Sequence, residues 1–214
     1  MATITRKQQA SRAERRAAIE ASLLAATGRL MAAGESFTEV SVERLAVEAG
    51  ISRPTFYVYF EDKGDLLRRL GEKIFAELAD PARSWWEVAD RYDRDKVFAA
   101  MSGMVAAHRR HRVLIAAIVE MAAYDEGVGT RYRQLFDIGI ENLATVIKRG
   151  VDAGTVRAVH PRETASALTW LTERYIYQSF STPRPPDEDD IARTLTDIIC
   201  ATLYPDPPET PDPD

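Results

Sequence analysis

Residues 41–67, SVERLAVEAGISRPTFYVYFEDKGDLL, constrain the fold more than any other part of this chain. Ser41 is placed to cap a short helix, its side-chain oxygen accepting an orphan amide of the first turn. Glu43 then puts negative charge at the positive helix end. Val42, Leu45, Ala46 and Ala49 recur at helical spacing and form one apolar face. Ala46 and Ala49 are small enough to let a second helix cross closely. Gly50 follows, the residue that best tolerates the left-handed conformation ending such a helix. Ile51 plugs the angle, and Ser52 caps a second short helix. Arg53, Pro54 and Thr55 fill its first turn, where proline is tolerated because the early amides lack intrahelical acceptors.

Two short helices joined at such an angle read as a helix-turn-helix. In that arrangement the leading end of the second helix reaches base edges in the major groove. Ser52, Arg53, Pro54 and Thr55 are therefore the candidate base-contacting residues, with Arg53 suited to a guanine edge. Tyr57 and Tyr59 are placed to hydrogen-bond phosphates or pack against the backbone, and Ser41 completes the candidate DNA-contacting set. Lys63 opens the next helix, where its charge and the free amides can both meet a phosphate. Singly, each has a plain structural reading: Gly50 as an ordinary helix end, the tyrosines as half-buried core, Arg53 as a solvated charge. Their order makes the pattern specific.

The segment resembles the N-terminal domain of the TetR family of regulators. The Ala49-Gly50-Ile51-Ser52 turn, the Tyr57-Val58-Tyr59-Phe60 run, Lys63 and Leu66-Leu67 fall where that family's motif has them. Many members carry glycine where this chain has Pro54. The variant Ser52-Arg53-Pro54-Thr55-Phe56-Tyr57 is similar to the branch containing the repressor of ethionamide activation. The resemblance implies an all-α homodimer of about nine helices. Three N-terminal helices would form a DNA-binding domain over residues 1–61. Residues 62–204 would form an effector-binding and dimerisation domain.

Composition is compatible with this. A chain of 214 residues buries roughly 70% of its unfolded surface and needs no covalent staple. Cys200 is the only cysteine, which excludes an intramolecular disulfide and suits a reducing compartment. No apolar run approaches the ~20 residues of a membrane span. The basic start lacks the apolar stretch of a secretory signal, so a cytoplasmic location without membrane partners is expected. The net charge of −5 is unevenly spread: residues 1–70 carry 11 basic and 9 acidic residues, the remainder 17 and 24. Arg6, Lys7, Arg12, Arg15 and Arg16 form a basic arm able to follow phosphates or enter a minor groove. A solubilising tail is the alternative reading.

The pattern is helical throughout. A first helix is predicted over 12–33, ending at Gly34. A later one, capped by Asp62, runs to Pro81 and bridges the two expected domains. Further helices are predicted over 95–109, 111–124, 128–153, 161–180 and 187–203, with Trp85 and Trp86 just before the first of these. Pro185-Pro186 break the chain, and the acidic, proline-rich residues 205–214 suggest disorder.

The helix over 161–180 is apolar on more than one side. Leu168, Leu171 and Tyr175 form one stripe, and Trp170, Glu173 and Tyr177 another. One stripe at a partner and one toward the interior is the expected arrangement. With Ile191, Leu195, Ile198, Ile199 and Thr202, the last two helices would supply a self-complementary homodimer seam. Ligand sites are mostly apolar with a few placed polar groups; the resemblance aligns Phe98, Tyr132, Phe136, Thr169, Thr172, Glu173 and Tyr177 with a pocket lining. Met101, Met104 and Trp170 join them by size and adaptability, Met101 and Met104 by their flexible thioethers. A carboxylate in such a place must be paired, hydrogen-bonded or protonated. Arg174 is expected to point elsewhere on the helix.

The expectation is thus a non-enzymatic regulator without cofactor, binding double-stranded operator DNA and released by a small apolar effector. A helix-turn-helix activator or partner recruiter without effector is the alternative. A metal protein using His108, His111 and Glu120 is a weaker one, because Arg109, Arg110 and Arg112 oppose a cation.

Overall fold

The computed structural model describes residues 2–87 and 92–205, with side chains from residue 14 onward. The side chains of Arg6, Lys7 and Arg12 in the expected basic arm, and residues 206–214 of the acidic tail, lie outside the described residues. Among the described residues the fold is all-α. The helices are α1 (Ala2–Ala32), α2 (Val42–Glu48), α3 (Arg53–Tyr59), α4 (Lys63–Ala79), α5 (Arg83–Trp86), α6 (Arg94–Ala122), α7 (Glu126–Ala153), α8 (Pro161–Phe180) and α9 (Glu188–Leu203).

Local chemistry sets most boundaries. Gly34, at φ 89°, ends α1 by donating to Met31 O while Glu35 donates to Leu30 O, at 3.0 and 3.1 Å. This paired closure satisfies carbonyls that the helix end would otherwise orphan. Asp62 caps α4, accepting from the Asp65 amide at 2.6 Å. Pro161 opens α8. Asp187 caps α9, and three acids follow in its first turn, where they suit the helix dipole.

Two boundaries differ from the sequence expectation. The segments expected as separate helices over 95–109 and 111–124 form one continuous helix, α6. His-Arg-Arg-His-Arg at 108–112 contains no glycine or proline, so nothing breaks the hydrogen-bond ladder. Instead the helix buries His108 and Ile115, two turns apart on one face, and turns Arg109 and Arg110 away from it to solvent. Likewise α1 is helical from Ala2, ten residues before its expected start. Trp85 and Trp86 precede α6 as expected, and they form a short helix of their own, α5.

The chain divides into two compact units, residues 1–74 with 111–133, and residues 75–110 with 134–214. In the first, Leu23, Leu30, Phe37, Leu45, Phe56 and Leu66 are core residues. The second is built around Val97, Met101, Ile147, Leu168, Leu195 and Ile199. At its C-terminal end the Trp85 indole donates to the Tyr204 hydroxyl at 3.0 Å. Arg157 binds the Tyr204 carbonyl at 2.9 Å.

This packing corrects the expected dimer seam. Ile191, Leu195 and Ile199 of α9 are buried within their own chain, so they cannot face a partner. Leu168 of α8 is also core. Leu171 and Tyr175 remain exposed, and Ile198 and Thr202 half-buried. α9 is amphipathic as expected, but its apolar face packs into the core of its own chain.

Candidate nucleic-acid interface

Within the first unit, α2 and α3 are held at a fixed angle by one turn. Gly50 takes φ 71°, donating to Val47 O while Ile51 donates to Ala46 O, each at 3.0 Å. Ser41 caps α2 by accepting from the Arg44 amide at 3.0 Å. Ser52 caps α3 by accepting from the Thr55 amide at 3.1 Å, and the Ser52 and Thr55 hydroxyls share a hydrogen bond of 2.7 Å. These caps settle where each helix begins, because they satisfy amides with no partner inside the helix.

Phe56 anchors α3. It is fully buried, and its ring sits 5.4 Å from that of Phe60 and 5.5 Å, edge-on, from that of Tyr57. With that side turned inward, Arg53, Pro54, Tyr57 and Val58 are left exposed and Thr55 and Tyr59 half-buried. The Arg53 guanidinium lies 5.8 Å from the centre of the Tyr57 ring. This contact steadies a long side chain near the leading end of α3, its aromatic partner one turn behind. Ser41 and Ser52 are exposed too, although the oxygen of each is already a capping acceptor.

Lys63 is placed differently from the expectation. Its ammonium donates to the carbonyls of Phe37, Thr38 and Val40 at 2.9, 2.9 and 2.5 Å. It also faces the Phe37 ring at 5.3 Å. An ammonium has three protons, and all three are directed into the chain, so the side chain closes the α1–α2 loop instead of reaching a phosphate. Burial pushes its pKa down, while the negative charge of Glu120 acts in the opposite sense.

Glu120 completes this cluster from near the end of α6. One carboxylate oxygen accepts from the Thr38 amide at 3.0 Å and the Thr38 hydroxyl at 2.6 Å, and from the Ser36 hydroxyl. Burial pushes the carboxyl pKa up, but the Ser36 and Thr38 side chains and the Thr38 and Phe37 amides outweigh it, and the net shift is downward. The carboxylate that the metal reading needed is thus engaged by the loop. Sequence reasoning missed the role because its partners lie more than eighty residues away.

The second unit holds all but one of the candidate effector residues. Phe136 stacks on Trp170 at 4.5 Å between ring centres and meets Phe75 edge-on at 4.8 Å. Thr172 and Glu173 are buried on α8, and Thr169 is half-buried. Met101 belongs to the core, with Met104 and Phe98 packed at its border. The Arg193 guanidinium covers the Phe98 ring at 5.3 Å. Tyr177 sits beside the buried His108, 6.5 Å between ring centres, and His108 stacks on Phe180 at 6.0 Å. Tyr132 falls in the first unit. Arg174 corrects its expectation: its Nε lies 3.6 Å from Glu173 Oε2, so the long side chain folds back to its sequence neighbour.

A capped three-helix unit turning α3 outward defines a helix-turn-helix DNA-binding regulator. Residues 23–70 match the family described as bacterial regulatory proteins, tetR family. Residues 97–205 match that described as the C-terminal domain of transcriptional regulator EthR. The HTH-type transcriptional regulator EthR of Mycolicibacterium smegmatis is 40% identical over 202 residues, 86% of either chain. That of Mycobacterium tuberculosis is 26% identical over 182 residues, 84% of either chain. Among solved structures, the fatty acid degradation regulator FadR from Bacillus halodurans shares the fold with a TM-score of 0.70 at 14% identity, covering 85% of this chain and 94% of its own. This chain belongs to the TetR family of transcriptional regulators. No described helix is long and apolar enough to cross a membrane.

Proposed function

We propose that the protein is a cytoplasmic repressor whose homodimer grips an operator and lets go when an apolar small molecule binds. The observation that carries this reading is the outward face of α3, with Arg53, Pro54 and Tyr57 exposed on a helix whose opposite face is locked by Phe56. Two such helices, about 34–36 Å apart in a two-fold dimer, match one turn of duplex DNA. Arg53 and Thr55 read bases. Tyr57 and Tyr59 hold phosphates, and the amides at the start of α4 add a further anion contact.

Leu171 and Tyr175, 39% and 37% exposed on α8, support α8 as the main dimer helix, with Ile198 and Thr202 of α9 at its margin. Effector binding is assigned to the second unit, around the Phe136–Trp170 stack and the buried polar edge formed by Thr172 and Glu173. The EthR C-terminal match over residues 97–205 supports that assignment. The protein acts by binding, with no chemical step.

The test is a selection of random duplexes by the purified protein, followed by titration of the recovered complex with apolar candidates. A palindromic site is expected, together with release by a compound whose own affinity falls equally when DNA is bound. Absence of an enriched site would remove the DNA reading. An operator affinity indifferent to every bound compound would remove the effector.

A further inference from the structure

Val58 is 73% exposed on a seven-residue helix that can spare little. A β-branched residue is a weaker helix former than alanine, and at this exposure it gains little from packing. Four residues earlier on the same side stands Pro54, also exposed. The two are thus an apolar pair about 6 Å apart along the helix, close to two steps of stacked base pairs. Phe56 and Phe60, on the other side, are buried. The outer face of α3 therefore combines one cation, Arg53, with an apolar ridge.

Apolar side chains read one feature in the major groove, the 5-methyl group of thymine. We infer that Val58 is a specificity-determining residue that selects thymine in each half-site by packing on its methyl group. The inference rests on the DNA-binding reading and deepens it, adding a residue that carries no hydrogen-bonding group. Arg53 reads one base through polar contacts, and Val58 reads another by excluding water from a methyl.

The test uses the full-length protein and the best duplex recovered by selection, with each thymine replaced in turn by uracil, which pairs identically but lacks the methyl. For the unaltered protein, one replacement per half-site is expected to weaken binding about fourfold, the worth of one buried methyl at ~0.8 kcal/mol. The same replacement is expected to cost Val58→Ala clearly less, because its side chain lacks the two methyl groups that reach furthest toward the base. Alanine favours the helix, so this variant keeps its fold, and its binding to the uracil duplex reports that directly. Equal losses in both proteins, or no uracil-sensitive position, overturn the role of Val58 while leaving DNA binding intact. Failure to recover any duplex overturns both.

Discussion

The Thr38 amide and hydroxyl both donate to one oxygen of Glu120, at 3.0 and 2.6 Å, across 82 residues of sequence. Thr38 lies in the loop that enters α2, and Glu120 two residues before the end of α6. The same α6 begins in the second unit, where it carries Met101 and Met104.

Glu120→Gln should lower stability by about 1–3 kcal/mol near neutral pH, because charge-assisted hydrogen bonds become weaker neutral ones. The folded-state pKa of Glu120 lies below its ordinary value. Its contribution is thus fully present above the ordinary glutamate range and lost as pH falls through the depressed value. Urea unfolding at several pH values should show the gap between the two proteins closing on acidification; a gap that widened would contradict the hydrogen-bonded carboxylate.

Lys63→Met keeps the stem but leaves the carbonyls of Phe37, Thr38 and Val40 without their donor. A loss of about 1–3 kcal/mol is expected in denaturant unfolding. The salt dependence of DNA binding should keep its slope, whereas losing a phosphate contact would reduce it by about one. The slope separates the two roles of the ammonium.

Gly50→Ala tests the turn. A Cβ at Gly50 meets no atom within 4 Å, so the penalty comes only from holding alanine at φ 71°. That costs about 1–2 kcal/mol and should appear as a lower unfolding midpoint with weaker operator binding. An unchanged midpoint would mean that the turn relaxes without loss.

Arg53→Ala should cost ~1–3 kcal/mol of operator binding and relax the choice of base at one position per half-site. Repeating the duplex selection with the variant measures this. A recovered sequence identical to that of the unaltered protein would exclude Arg53 as a reader.

Tyr204→Phe strands the buried Trp85 indole N–H, whose partner is the Tyr204 hydroxyl. A loss of about 1–3 kcal/mol is expected, seen in thermal unfolding and in altered tryptophan fluorescence. DNA affinity at temperatures well below the transition should hardly change.

What was legible in the sequence was whatever is settled within a few residues. Ser41, Gly50, Ser52 and Asp62 act on amides and carbonyls three to five positions away, so their roles follow from spacing alone. α8, over 161–180, carries its start signal in Pro161. The continuity of α6 was missed because its charged middle looked like a boundary, although no residue there breaks a helix. Lys63 was expected to face a phosphate, and Glu120 entered only the weaker metal reading, because nothing nearby in sequence names the loop over residues 36–40 as their partner. The face of α9 was equally ambiguous: an apolar stripe looks the same whether its own core or a second subunit covers it.

The sequence by itself determined the helix-turn-helix and the all-α character, since capping, glycine turns and helical periodicity are local physics written in neighbouring residues. Only the tertiary structure decided which charges remain for DNA, which apolar faces remain for a partner, and which residues of α3 look outward. Those outcomes depend on desolvation and long-range pairing, and burial of Phe56, Lys63 and Leu195 is set by chain segments distant in sequence.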